Sequence, residues 1–200
     1  MSAADDVIGL YRRNAAEWDR LRGRNLFERA WLDRFLDLVP AKARVLDLGC
    51  GSGEPIARYL IERECRVTGV DSSDGMIAMC RERFGGHEWI VGDMRTLDLG
   101  AKFDGILAWD SFFHLTREDQ RAMFARFADL AGPGAALLFT SGPYDGEVVG
   151  EMWGEPLYHA SLAPDEYRSL LVANGFGLVA HMAEDPQCGG HTVWLASLEV

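Results

Sequence analysis

Two hundred residues with 48% hydrophobic and 10% aromatic content suffice for one compact domain with a full core, expected to span 1–200. The formal net charge of −11 repels a phosphate backbone and excludes DNA and RNA as partners, while the longest unbroken apolar run, Ala135 to Phe139, is far too short to cross a membrane. Cys50, Cys65, Cys80 and Cys188 form no CxxC pair or metal-ligand spacing, so no metal is expected. The scattered thiols, with an N-terminal MSAADDVIGLYRR lacking a basic-then-apolar pattern, predict a cytoplasmic chain, monomeric or a weak homodimer.

In chain order, Val7/Ile8, Tyr11, Ala15 and Trp18 share one helical stripe, and Asn25 with Glu28 resembles a capping box opening a second helix that Pro40 ends. Residues 1–40 are thus expected as an N-terminal helical cap. Strands are predicted at Arg44 to Leu48, Arg66 to Asp71, Glu88 to Val91, Phe103 to Trp109 and Ala135 to Ser141. Helices are predicted between them at Glu54 to Glu64, Asp74 to Phe84 and, capped by Thr116 with Asp119, up to Leu130. Strand and helix alternating at these lengths predict a parallel sheet with helices on both faces. Residues 142–163 show no clear period and form an expected insert. Pro164 then opens a helix that Gly175 closes. Phe176 to Ala183 and Thr192 to Leu198 are joined by too few residues for a parallel crossover, so they must pair antiparallel.

The stretch VLDLGCGSGEP, Val45 to Pro55, places glycines at every second position between a strand and a helix. A dinucleotide fingerprint would need a phosphate-friendly helix start, but Glu54 puts a carboxylate there, where it repels a pyrophosphate. A ligand carrying a sulfonium and an ammonium tolerates acids, and Asp47 sits where the strand enters the loop. S-adenosylmethionine is such a ligand.

VLDLGCGSG, then VTGVD ending in Asp71, then VGDM with Asp93 and Met94, then FDGILAWDSFFHL, resembles the ordered motif series of class I S-adenosylmethionine-dependent methyltransferases. The resemblance runs from about Val45 to Ser141. It implies an α/β, Rossmann-like, seven-stranded and mostly parallel sheet with the last strand antiparallel and an N-terminal helical lid. It implies S-adenosylmethionine as cofactor, S-adenosylhomocysteine as product and a small-molecule acceptor.

By position, the resemblance places the methionine portion on Gly49, Cys50 and Gly51 and its ammonium near Asp47. The ribose hydroxyls fall to Asp71, whose two oxygens suit that fork, the adenine to Ser72, Met76, Asp93 and Met94, and a backbone carbonyl near the sulfonium to Trp109. Tyr11 and Trp18, seven residues apart, belong to the lid over the methionine end. The arginines around them, Arg12, Arg13, Arg20, Arg22 and Arg24, are expected to favour its carboxylate.

Methyl transfer asks mainly for alignment, and a base matters only when the acceptor must lose a proton. His114, five residues past Trp109, is one candidate, with a pocket-shaping role as its other reading. Tyr158 and His159, within WGEPLYHASL, are the other catalytic candidates; this segment suits either a small-molecule pocket or aromatic packing on the sheet edge. Cys188 and His191 read as hairpin residues rather than a metal half-site. Aminopropyl transfer of the polyamine synthase type, or cofactor binding without turnover, would use the same scaffold. The first is disfavoured because Asp110 is followed by Ser-Phe-Phe-His instead of an acid-rich motif.

Overall fold

The computed structural model describes residues 3–199; residues 1, 2 and 200 of the expected span lie outside the described residues. Three helices rather than two precede the first strand: α1 (Ala3–Arg13), α2 (Ala15–Leu21) and α3 (Arg29–Leu36). The first stripe is interrupted at Asn14, whose side-chain amide donates to Leu10 O at 2.9 Å and leaves helical geometry at φ −112°, ψ 16°. The expected capping box does not form. Glu28 stands at the start of α3 without a side-chain cap, and its carboxylate is fully buried against Arg22 at 2.5 Å.

Seven strands form the main sheet in the order β3-β2-β1-β4-β5-β9-β8. They are β1 (Arg44–Leu48), β2 (Arg66–Asp71), β3 (Glu88–Val91), β4 (Phe103–Ala108), β5 (Ala131–Ser141), β8 (Phe176–Asp185) and β9 (His191–Leu198). The first five pair in parallel, and β9 runs antiparallel between β5 and β8. α4 (Ile56–Glu62), α5 (Asp74–Arg83), α6 (Arg117–Leu130) and α7 (Pro164–Ala173) supply the crossovers and covers. Thr116 caps α6 as expected, its hydroxyl accepting from Asp119 N at 3.1 Å. The Gly132-Pro133-Gly134 turn lies inside the irregular start of β5, where the β4 register shifts between Phe103 and Gly105.

Both sheet faces are covered, which is why the strands read as nearly continuous apolar runs. Val45, Leu107, Leu138 and Leu195 pack one face against α3, α4 and α5 through Phe35, Leu60 and Ile77. Leu46, Ile106, Leu137 and Trp194 pack the other against Phe124, Phe127 and Tyr167 of α6 and α7.

The expected irregular insert is instead a hairpin, β6 (Gly146–Met152) and β7 (Glu155–Ser161), with Val149 opposite Tyr158. Trp153 and Gly154 turn it, both with positive φ (55° and 79°), the geometry of a two-residue turn matched to strand twist. The usual sequence signal puts Asn or Asp before the glycine; tryptophan there hides the turn.

Close packing supplies one test of the fold. A Cβ at Gly105 would lie 2.4 Å from Phe35 Cζ, and Phe35 is fully buried. Gly105→Ala should therefore destabilise the chain by about 1–3 kcal/mol, read as a lower urea midpoint at unchanged slope. An unshifted midpoint would mean that α3 can move away from β4.

Candidate active site

Strands β1, β2 and β4 end at one edge, the edge where open α/β sheets gather ligands. The β1–α4 loop turns sharply there. Gly49 N and Cys50 N both donate to Val70 O, at 2.7 and 3.1 Å, which draws the loop over the end of β2. Gly49 has φ +77°, and a Cβ on it would sit 2.2 Å from Ser111 Cβ, so glycine is required on both counts. Ser111 is itself fixed, its hydroxyl donating to Leu48 O at 2.6 Å.

Asp71 ends β2 and ties the loop to α5. Its Oδ2 accepts from Gly51 N at 2.9 Å and its Oδ1 from Ser73 N at 2.8 Å. Each oxygen keeps lone-pair capacity toward the cavity beside it. Desolvation holds the Asp71 carboxyl above its ordinary range, against the opposing pull of those two N–H groups.

That cavity is lined by Tyr11, Trp18, Gly49, Gly51, Asp71, Ser72, Met76, Asp93, Met94 and His114, so ten of the residues singled out from sequence come together. Five do not line it. Asp47 is buried one step below the loop, between Gly69 and Leu107; burial, helped by the Asp71 charge, pushes its carboxyl up to about 7. Cys50 packs beneath the loop with its thiol toward Gly51 O, and burial raises that thiol. Trp109 is buried and stacked on His191, with ring centroids 5.6 Å apart, and its Nε1 has no partner among the described residues.

Tyr158 and His159 are the other two, and strand alternation explains their places. Tyr158 turns its ring toward Val7 of α1 and contributes its backbone carbonyl, while His159 faces the opposite way against Phe113 and His114. Neither side chain reaches the cavity.

The carbonyl of Tyr158 decides the state of His114. A carbonyl only accepts, so His114 Nδ1 carries the proton it donates at 2.9 Å, and Nε2 accepts from Tyr11 O–H at 3.0 Å. Desolvation lowers His114 to about 4, which keeps the ring neutral. Its free electron pair is committed to Tyr11, whose phenol burial holds well above the usual range. His114 thus orients the Tyr11 hydroxyl at the cavity wall.

Several contacts here have no sequence signal. Arg95 grips Asp93 through both oxygens and reaches Asp119 at 3.2 Å; burial alone would raise Asp93, but Arg95 outweighs it and the carboxyl is lowered. Asp110, with a left-handed φ of 49°, lines the cavity and meets His191 Nε2 at 3.0 Å. His191 Nδ1 faces Cys188 O at 2.7 Å. Both partners of His191 are acceptors, so both ring nitrogens donate and the ring is an imidazolium, consistent with the raised value that Asp110 confers. No group of three or more His, Cys, Asp or Glu residues is placed to hold a metal among the described residues.

The N-terminal arginines do not face the cavity as expected. Arg13 pairs with Asp6 and Glu155, Arg20 with Glu17, Arg22 with Glu28 and Arg24 with Asp19, while Arg12 donates to Ser72 O. Acids absorb the charge of the other four, while Arg12, bound to a carbonyl beside the cavity, still acts on the Asp71 carboxyl to lower it.

Comparison with known proteins agrees with this geometry. Residues 45–134 match the model of the family described as methyltransferase domain. The chain is 31% identical over 120 residues to the malonyl-[acyl-carrier protein] O-methyltransferase of Enterobacter lignolyticus, covering 58% of this chain and 47% of that protein. It is 29% identical over 117 residues to the carboxy-S-adenosyl-L-methionine synthase of a Shewanella species, covering 54% and 46%. The chain spans about half the length of these curated relatives. Among solved structures, the magnesium protoporphyrin IX methyltransferase of Synechocystis with bound SAH superimposes with TM-score 0.75 at 18% identity, covering 98% of this chain and 99% of that one. The 1,6-didemethyltoxoflavin-N1-methyltransferase of Burkholderia thailandensis does so with TM-score 0.73 at 24% identity, covering 98% and 87%. These structural likenesses establish the fold. No helix among the described residues is long and apolar enough to cross a membrane.

The His191–Asp110 pair has a definite pH signature. A histidine raised on folding stabilises fully below its unfolded value of about 6.5 and loses that contribution as pH rises through the higher folded value. His191→Gln should lower the melting temperature most near pH about 6, and the gap from the unaltered chain should close toward pH about 9. A gap independent of pH would show that the ring's charge contributes nothing.

Proposed function

We propose that this chain, whose residues 45–134 match the methyltransferase-domain family, is a class I S-adenosylmethionine-dependent methyltransferase that transfers a methyl group from that cofactor to a small-molecule acceptor. The observation that carries the reading is Asp71, fixed by Gly51 N and Ser73 N with capacity left on both oxygens, directly beside a glycine loop that leaves backbone open to a ligand.

The residues fit the cofactor on chemical grounds. Asp47 and Asp71 are desolvated carboxyls that raise one another's cost of ionisation, and an incoming ammonium would relieve it. Asp71 would hold the ribose hydroxyls, Ser72, Met76, Asp93 and Met94 the adenine, and Gly49, Cys50 and Gly51 the methionine portion with Asp47 behind. When bound, S-adenosylmethionine supplies a methyl carbon already attached to a good leaving group. Tyr11 and Trp18 cover that end, their rings 5.5 Å apart edge-on, and exclude water there. The β6–β7 hairpin, within residues 142–163, forms the acceptor-side element of a domain spanning 1–200, with 1–40 as its cap. Small acceptors accord with the names of fold neighbours, among them methyltransferases of 1,6-didemethyltoxoflavin and of magnesium protoporphyrin IX.

The test is transfer of labelled methyl from S-adenosylmethionine to a panel of small acceptors, with the product identified by mass spectrometry. Calorimetry accompanies it. Asp71→Ala should weaken S-adenosylhomocysteine by about 1.5–3 kcal/mol, the range for hydrogen bonds to a charged group. Tight NAD binding with no response to S-adenosylhomocysteine would overturn the assignment.

Asp47 adds a pH dependence. Its carboxyl sits at about 7 without ligand, and a bound ammonium favours the ionised form. Affinity for S-adenosylhomocysteine should therefore fall as pH drops below that value, with proton release on binding seen by calorimetry in two buffers of different ionisation enthalpy. Asp47→Asn should abolish the release; if release persists, another group carries the linkage.

A further inference from the structure

We infer that the methyl acceptor is an amine and that Asp110 is the residue selecting it, an inference that rests on the methyl-transfer reading above. Sheet order gives the direction. With adenine toward Asp93 after β3 and ribose on Asp71 after β2, the reactive end of a bound cofactor would lie across the β1 loop toward the end of β4, where Asp110 and Ser111 stand. Gly49 and Ser111 are in such close approach that a single Cβ would collide, which places Asp110 immediately past the loop.

Charge in this cavity excludes one class of acceptor. Five aspartates, Asp5, Asp71, Asp93, Asp110 and Asp119, line it against a single Lys or Arg among the described residues, Arg95. Arg95 is held by Asp93 and Asp119, so its charge is matched by two carboxylates before any acceptor arrives. An anionic acceptor would lie against the Asp110 carboxylate, with the His191 cation on the far side of it, at the cost that like charges impose in a partly desolvated site.

Base chemistry excludes a second class. An alcohol must lose its proton to become a good nucleophile, and the lone pair of His114 is already occupied by the Tyr11 hydroxyl. An amine in its uncharged, free-base form brings its own lone pair, which the ammonium form lacks. As the N–C bond of the free base forms and the C–S bond breaks with its electrons going to sulfur, the positive charge passes from sulfur to nitrogen, and no proton needs to leave during the transfer itself. Asp110 lines the same cavity, and its carboxylate would stabilise a positive charge developing beside it, which is stabilisation of the kind that accelerates the step.

Asp110 is built to stay in place. His191 Nε2 donates to its carboxylate at 3.0–3.1 Å, Thr140 Oγ1 lies 3.4 Å from Oδ1, and Asp110 N donates to Thr140 Oγ1 at 2.9 Å. A carboxylate has about four lone-pair positions, so these contacts leave room for an N–H donor. His191 in turn is packed between Phe27 and Trp109. His191 is thus a positioning residue acting through Asp110.

The experiment uses the whole chain saturated with S-adenosylhomocysteine, whose own binding is measured first by calorimetry. Benzylamine, benzyl alcohol and benzoate, and the matched cyclohexyl series, are then titrated, and turnover of each is measured with S-adenosylmethionine. Amines should bind at least about tenfold tighter than the matched carboxylates and be the compounds methylated, and Asp110→Asn, checked for a cooperative melt, should erase most of that preference. The inference is overturned if no pair favours the amine, or if folded Asp110→Asn keeps the preference. The unaltered chain's selectivity decides the acceptor class even if the variant does not fold. Failure to bind S-adenosylhomocysteine would instead overturn the underlying methyl-transfer reading.

Discussion

A single carboxylate, that of Asp71, joins the end of β2 to both segments that build the cavity floor. It accepts from Gly51 N in the β1–α4 loop and from Ser73 N at the cap of α5. Without it, the loop amide and the helix start would each lose an acceptor at a place where the backbone turns too sharply to find another. The arrangement is costly in the free protein, because Asp47 lies buried behind the same loop and the two charges repel. A fold that keeps two such acids close together is poised for a cationic ligand. Asp71 holds the floor together through its two amides, while Asp47 carries the electrostatic cost.

The elements above the floor are held differently. α1 rests on the hairpin through a small cluster of Val7, Tyr158 and Ala160 and not on either main core. Its other ties are polar: Arg13 to Glu155, Arg12 to Ser72 O, and Tyr11 to His114. α2 is fastened to α5 by Asp19 and Arg83, at 2.7 Å. The Arg13 pairs are exposed, screened by water and individually weak, so α1 is attached more loosely than the sheet is. That division suits a cover that must admit and release a ligand while the floor stays rigid.

How far the sequence could be read follows from the range of each interaction. The glycine loop, Asp71 and the helix caps announce themselves because their causes are local: a glycine where φ is positive, a hydroxyl three residues before the amide that it caps. The strands are legible because a parallel sheet covered on both faces needs long apolar runs. What stayed hidden depends on distant partners or on exceptions to local rules. Asp110 and His191 are 81 residues apart and meet only because β9 is inserted beside β5. Glu28 matched a capping box but was drawn into the interior by Arg22, and Trp153 turns a hairpin with a bulky residue where asparagine is usual. The N-terminal arginines looked like a free positive field because their acids, such as Glu155, lie far along the chain.

The two histidines at the β4 edge show how partner type sets charge within one site. His114 has one acceptor, a carbonyl, and one donor, the Tyr11 phenol, so its ring is neutral; His191 has two acceptors, a carbonyl and a carboxylate, so its ring is charged. Exchanging the roles would fail in both places. A charged His114 would bear the cost of burial inside a desolvated wall and take away the acceptor of the Tyr11 hydroxyl, and a neutral His191 would leave Asp110 without its counter-charge. The positive ring is thus kept behind the carboxylate and the neutral ring beside the cavity. The face that a ligand meets is left polar and oriented, with Asp110 as its acid at the β4 edge.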